Sequence, residues 1–353
     1  MSNHLSVDLI QRQFFRDIAR VLRRENMDVQ NILSTIDLAE LRNHIIQTSI
    51  VAWKNYITES SLDRWLKNFD GAALGNAVVE QTIAAWLLLN FTYYTDTEVR
   101  ELCKIIYRKF IHRKLQEEYY QRSSEDVQTK IQIQRILTRT IFLPLGNPSE
   151  SGALILYNFR TANALPKRVF NQPIDWSTKL SDGNIDDIVL IDDVTLSGSQ
   201  AIDYVGRLPV NNIQTTLMTF FATPIAINNL KKAASQIVPL YVSLLDSRTN
   251  LFSDRSSVFS NPDCLQLKDL AFKLCNYYGT EIVSHELSAA EAYMKSHPLG
   301  FADGQHLFGF YYNTPDNTLP IFWCKSPNWS PAFVRYGKVY GIEGVCISDE
   351  QYW

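Results

Sequence analysis

The sequence predicts an α/β protein. A doubly wound parallel sheet over residues 140–250 follows an N-terminal helical extension (1–139) and precedes a C-terminal mixed α+β region (251–353). Three observations predict it. From Thr140 onward, apolar strand-like runs alternate with helix-like stretches, the pattern of a parallel sheet with helices on both faces. One of those runs, Ile188-Val189-Leu190-Ile191, ends on two acids and enters a Ser/Gly loop that opens a helix. Before Thr140, apolar residues recur at helical spacing with few Gly or Pro.

In the extension, Ile10, Phe14, Ile18, Val21 and Leu22 share one helical face, and segments 72–93 and 98–121 continue in that style. Thr95 or Thr97 is placed to cap the helix that follows. Asp126 to Leu137 is a further helix. TIFLPLGNPSESG then reads as a buried strand running into a loop, and SGALILYNFR as a helix leaving it. DDIVLIDD is a strand, SGSQAIDYVGRL a helix, NIQTTLMTFFAT a strand, PIAINNLKKAASQI a helix and PLYVSLLD a strand. In the last region QLKDLAFKLCNYYGTEI is helical. HLFGFYYN and TLPIFWC read as two strands around a TPDN turn, with Pro315 at the turn's second position.

Composition narrows the function classes. Of the 353 residues, 46% are hydrophobic and 20% charged, which fits a packed globular chain rather than a disordered one. Lys and Arg number 34 against 37 Asp and Glu, so a uniformly basic nucleic-acid binder is excluded. Two local stripes remain for such contacts: Arg12, Arg16, Arg20, Arg23 and Arg24, and Lys104, Arg108, Lys109, Arg113 and Lys114. A solvated helix face is the plainer reading of each. The most apolar run, Ile83 to Leu89, is far shorter than the ~20 residues a membrane span needs. The N-terminus lacks the apolar core of a signal peptide. Five scattered cysteines without a CxxC pair read as reduced thiols, so a cytoplasmic location is expected. The six histidines show no zinc spacing.

The chemistry-bearing stretch is Ile188 to Ser199. In open α/β sheets, ligands bind beyond the carboxyl ends of the strands. A helix N-terminus offers unpaired N–H groups and a positive dipole end to a phosphate. Gly198 lets the backbone approach an anion, and Thr195, Ser197 and Ser199 add hydroxyl donors. Asp192 and Asp193 accept hydrogen bonds only, which suits the vicinal hydroxyls of a ribose. The spacing itself therefore suggests a 5-phosphoribosyl group. A Walker B strand would need a GxxxxGK[ST] loop elsewhere, and the chain has none. A phosphatase of the haloacid-dehalogenase type needs its two acids one residue apart, and here they are adjacent.

IVLIDDVTLSGS resembles the motif that binds 5-phosphoribosyl pyrophosphate (PRPP) in the type I phosphoribosyltransferases. The resemblance implies that Asp192 and Asp193 contact the ribose 2′ and 3′ hydroxyls and that Thr195, Leu196, Ser197, Gly198 and Ser199 wrap the 5′-phosphate. It places the pyrophosphate loop at Leu145 to Gly152, with Ser149, Ser151 and Gly152 as contacts. That loop lacks the basic residue many members carry, and Arg160 is the candidate substitute. A mobile catalytic loop is implied between the following helix and the motif, with Lys167, Arg168 and Lys179 as its basic candidates. The family's chemistry implies Mg²⁺ held mainly by substrate and water rather than by protein ligands. A base-reading hood is implied in the C-terminal region. Asn313, Asn317 and Thr318, with Trp323 and Trp329, are its candidates, and a turn with core aromatics is the alternative.

The length and the segments WLLLNFTYYTDTEVRELC, PLGNPSESGALILYNFRTAN and NTPDNTLPIFW resemble the divergent phosphoribosyltransferase-like proteins of bacterial conflict systems. That likeness implies an anti-phage role, in some cases beside a retron reverse transcriptase. Two other classes stay open: a sensor of PRPP or a nucleotide that gates a protein or nucleic-acid partner, and a structural subunit with a vestigial pocket.

Overall fold

The computed structural model describes residues 33, 37–121, 129–147, 150–170, 185–208, 213–233, 237–260, 265–284 and 297–336. The chain divides into two compact units. One joins Met1–Thr95 to Ser247–Trp353, and the other is Asp96–Asp246. The boundaries of these units, at residues 95 and 246, differ from those expected at 140 and 250.

In the second unit, α4 (Asp96–Gln121) and α5 (Thr129–Thr138) lead into a four-stranded parallel sheet. Its strands are β2 (Thr140–Pro144), β3 (Asp187–Thr195), β4 (Gln214–Ala222) and β5 (Ile237–Leu244), lying side by side in that order. The intervening helices are α6 (Ser151–Ala162), α7 (Ser199–Gly206) and α8 (Pro224–Ala233). Ile188 to Ile191 are wholly buried because β3 has a strand on each side and helices on both faces.

Strand side chains alternate between faces, and this sorts the helices. Ile141, Leu143, Ile188, Leu190 and Leu217 share one cluster with Ala201 and Val205 of α7 and Leu230 of α8. Phe142 points the other way, onto Phe159 of α6 (5.5 Å between ring centroids) and Phe110 of α4 (5.9 Å). So α4 and α6 cover one face while α7 and α8 cover the other. The sheet is doubly wound, as the sequence predicts.

Four of the five residues of the second basic stripe make contacts inside this unit, while Arg108 is exposed. Lys109 donates to the carbonyls of Tyr241 and Val242, and Lys104 pairs with Glu101. Lys114 pairs with the buried Asp187 at the start of β3, and Arg113 lies 3.8 Å from the same carboxylate. Arg113 also donates to the Thr216 hydroxyl, which in turn donates to Asp187. The first stripe, Arg12 to Arg24, lies outside the described residues.

The first unit is held by one apolar cluster drawn from both of its segments. It includes Trp65, Phe69, Trp86, Phe91, Phe322, Trp329 and Phe333. Its helices are α1 (Leu38–Ala52), α2 (Glu59–Leu66), α3 (Ala77–Leu89), α9 (Leu265–Ser284) and the short α10 (Pro320–Trp323). Buried Glu80 of α3 accepts from the backbone N–H groups of Gly71, Ala73 and Leu74 and from the Tyr278 phenol of α9. The expected C-terminal hairpin is not formed. β6 (Phe308–Phe310) instead pairs in parallel with β1 (Thr92–Tyr94) from the far end of the chain. PIFW is a helix with Pro320 at its first position, where a missing N–H is no loss. The turn is present one residue later than expected, over 315–318: the Thr318 N–H donates to the Pro315 carbonyl at 3.2 Å, which puts Pro315 at its first position rather than its second.

Among the described residues, no helix is long and apolar enough to cross a membrane. Cys103, Cys275 and Cys324 are buried.

Burial pushes the Asp187 carboxyl up to about 6, against the pull of Lys114 and Arg113. A raised carboxyl favours the fold when protonated, so the stability it contributes is lost as pH rises through about 6. Lys114→Met is expected to destabilise by about 3 kcal/mol above that pH, because it strands a buried charge. The deficit should shrink as pH falls below about 6 and Asp187 takes up a proton. Urea denaturation of wild type and variant at about pH 8 and about pH 5 checks this, and a deficit independent of pH would show that Lys114 acts by packing instead.

Candidate active site at the β2–β3 switch point

β2 and β3 are neighbours, yet the helices that leave their carboxyl ends go to opposite faces. The loops therefore diverge and leave a crevice at the strand ends, the place where open α/β sheets bind ligands. Gly152 shapes one wall. A Cβ there would collide with the Leu145 carbonyl and stand 3.0 Å from that of Ile191. The bare α-carbon lets the first turn of α6 rest on both strand ends. The Leu145 N–H donates to the Ile191 carbonyl (2.9 Å) and carries the pairing one residue past β2.

The acids stand in the C-terminal half of β3. Asp192 is buried and Asp193 half-buried. The Ser151 hydroxyl, in the first turn of α6, lies 2.9 Å from Asp192 Oδ1 and 3.3 Å from Asp193 Oδ1. Asp192 also accepts the Asp193 N–H (2.9 Å), and Asp193 the Val194 N–H (2.8 Å). Burial first, and the charge of Asp193 second, push the Asp192 carboxyl well above the usual range; the hydrogen bonds from the Asp193 N–H and from Ser151 oppose them.

The other wall is the loop into α7. Gly198 takes a left-handed conformation (φ 78°) at the cap position, and a Cβ there would press on Leu230 of α8 at 3.0 Å. Both constraints call for glycine. The loop is braced from the next βα unit. The Thr223 hydroxyl donates to the Leu196 carbonyl (2.5 Å) and the Asn229 amide to the Ser197 carbonyl (3.0 Å). The Ser199 N–H reaches the Ser197 hydroxyl at 3.3 Å, and that hydroxyl donates to Ser199 Oγ at 3.0 Å. Ser199 is exposed, and α7 has no acid in its first turn to offset its positive end. Thr195 is buried at the end of β3, where its carbonyl accepts the Thr223 N–H at 3.1 Å.

The structure thus brings together Asp192, Asp193, Ser151, Gly152 and the Thr195–Ser199 loop. It does not bring the basic candidates with them. Arg160 is in the last turn of α6, eight residues or about 12 Å along the helix from Gly152. Its guanidinium lies over the Tyr157 ring at 5.5 Å. Lys167 and Arg168 are exposed on a single 3-10 turn (Lys167–Val169) beyond the end of that helix. Ser149 and Lys179 lie outside the described residues. The hood candidates belong to the first unit, which uses them internally. Asn313 Oδ1 accepts from the N–H groups of Thr314 and Tyr336, and Trp323 donates to the Thr318 carbonyl. Asn317 is buried; its main-chain carbonyl accepts the His306 N–H, whereas its side-chain amide has no hydrogen-bond partner among the described residues.

Two partners escaped the sequence reading. Thr223 and Asn229 brace the loop from another strand and helix, and nothing local marks them. Glu150 is different. It accepts from the Asn147 N–H (3.1 Å) and the Gln200 side chain (3.2 Å). An acid in a loop expected to hold an anion was a visible inconsistency.

Among the described residues, no group of three or more His, Cys, Asp or Glu side chains is arranged to hold a metal ion. The hard oxygens of two adjacent carboxylates nevertheless suit Mg²⁺ that keeps substrate and water as its other ligands.

A doubly wound sheet with adjacent acids at its switch point, facing a Ser/Gly loop at a helix N-terminus, defines a phosphoribosyltransferase-like protein. The chain belongs to the PRTase-CE family, whose model matches residues 62–335. No curated protein and no solved structure matches it.

Asp192→Asn keeps an oxygen for both donors and removes the buried charge. It is expected to stabilise the fold by about 0.5–2 kcal/mol at neutral pH. The raised Asp192 carboxyl favours the fold when protonated and loses that contribution as pH rises. The gain should therefore shrink as pH falls and wild-type Asp192 takes up a proton. Denaturation of both proteins across pH checks this, and a variant less stable at every pH would contradict it.

Proposed function

We propose that this protein binds a 5-phosphoribosyl ligand, PRPP or a ribonucleotide, in the β2–β3 crevice and acts at its anomeric carbon by Mg²⁺-dependent transfer or attack. The observation that carries the reading is the placement of Asp192 and Asp193 at the strand end beside the Thr195–Ser199 loop and the N-terminus of α7. The acids orient the ribose through its hydroxyls. The loop N–H groups and the exposed Ser199 hold the 5′-phosphate. The bond from the anomeric carbon to its leaving group breaks as the bond to the acceptor forms, with positive charge building on the sugar ring. Mg²⁺, which the half-buried Asp193 carboxylate would help to hold, would offset charge on a phosphate leaving group.

A second reading, a sensor without chemistry, is favoured by one feature. Leu145 to Gly152 contains no Lys or Arg, and Glu150 already sits on that loop. A place in an anti-phage assembly, beside a reverse transcriptase or another protein, rests on the likeness of the chain to conflict-system proteins.

The test is calorimetry with ribose 5-phosphate and PRPP in Mg²⁺, together with chromatography of mixtures containing bases, nucleotides and nucleic acids. Wild type should bind, and the Asp192→Asn/Asp193→Asn double variant should lose at least about 100-fold in affinity, the order of two charge-assisted hydrogen bonds. Binding by the double variant at wild-type strength would overturn the proposal. Turnover in the mixtures selects the enzyme reading, and binding without turnover selects the sensor.

A further inference from the structure

We propose that Glu150 sets the ligand class of the crevice, by filling the anion position of the β2–α6 loop and so selecting 5-phosphoribosyl ligands that carry no pyrophosphate on the anomeric carbon. This rests on the reading of the β3–α7 loop as a 5-phosphoribosyl site.

Glu150 stands at the cap position of α6, on one lip of the crevice, and Gln200 is in the first turn of α7, on the other. One oxygen of Glu150, Oε2, accepts from both the Asn147 N–H and the Gln200 amide. The carboxylate therefore occupies a backbone donor of the loop and spans the gap between the two lips. Gly146 makes the room. It has φ 89°, and a Cβ on it would run into Glu150 Oε2 and stand 2.8 Å from Gln200 Nε2. The Glu150 N–H also donates to the Asn147 carbonyl at 3.0 Å.

A ribose held by Asp192 and Asp193 at the end of β3, with its 5′-phosphate on α7, directs its anomeric substituent toward the neighbouring strand's loop. That loop is β2–α6. A pyrophosphate arriving there meets a carboxylate already on the Asn147 N–H, in a crevice that also holds two aspartates. Like charges at such range are strongly unfavourable in a partly desolvated site. A purine or pyrimidine, or a free anomeric hydroxyl, brings no such charge. The ligand class is therefore a nucleoside 5′-monophosphate or ribose 5-phosphate.

The experiment compares ribose 5-phosphate and PRPP by calorimetry in Mg²⁺, on the full chain and on Glu150→Gln and Glu150→Ala, with circular dichroism to establish that each variant is folded. Wild type is expected to bind ribose 5-phosphate at least as tightly as PRPP. In Glu150→Ala the affinity ratio should shift toward PRPP by at least about 10-fold, with Glu150→Gln shifting in the same direction through loss of charge alone. Wild type that prefers PRPP, or variants that leave the ratio unchanged, would overturn the role of Glu150 and leave the 5-phosphoribosyl reading standing. No binding of either compound by any of the three proteins would overturn both.

Discussion

The crevice depends on how closely α6 approaches the ends of β2 and β3. Gly152 sets that approach, because it has no side chain to collide with the carbonyl of Leu145 or press on that of Ile191. The neighbouring Ser151 is thereby carried to the two aspartates, where one hydroxyl serves both carboxylates. Any larger residue at position 152 would lift the helix and withdraw that donor. Asp192, already buried, would then hold one hydrogen bond fewer while its charge stayed desolvated. A packing contact between backbone atoms and the electrostatic state of the acids are in this sense one constraint.

β3 carries a buried acid at each end, and the contrast between them separates structure from function. Asp187 at the start of the strand is met by Lys114, Arg113 and Thr216 from within its own unit. Asp192 near the other end is met by a serine hydroxyl and a backbone N–H, and its other close neighbour is a second acid. Both carboxyls are pushed upward by burial, but only the first is answered by cations. An acid kept buried with neutral donors, at a strand end that opens on a crevice, costs stability that a structural role would not require. Costs of this kind are commonly carried by functional sites.

The parts that were legible in the sequence are those fixed by short stretches of chain. The alternating strands and helices, the IVLIDD strand and the Gly198 turn each depend on residues within about ten positions of one another. Their consequence, a sheet wound on both faces, follows from side-chain alternation. What was not legible depends on distant pairing. Nothing near TYY or FGF announces that Thr92–Tyr94 and Phe308–Phe310 are partners. Without that pairing, TLPIFWC reads as a strand, although Pro320 equally suits the first turn of a helix. Arg160 lies on the right helix, but α6 runs away from the strand ends and takes Arg160 with it.

The same contrast between local and distant contacts runs through the chain as a whole. The second unit pairs its four strands in sequence order, each with the next, so its sheet closes over short stretches of chain. The first unit draws its core from two segments with the entire second unit between them. Closing so long a loop costs only slightly more entropy than closing a short one, because the cost grows with the logarithm of length. It still requires both segments at once. Aromatic stacking across the two segments, such as Phe91 on Phe333 at 4.1 Å and Trp65 on Phe322 at 5.4 Å, supplies the apolar burial that rewards the closure. This explains why the C-terminal aromatics, which in sequence resemble a base-reading hood, are spent on the core. Trp329 and Phe333 belong to the cluster that holds the two segments of the first unit together.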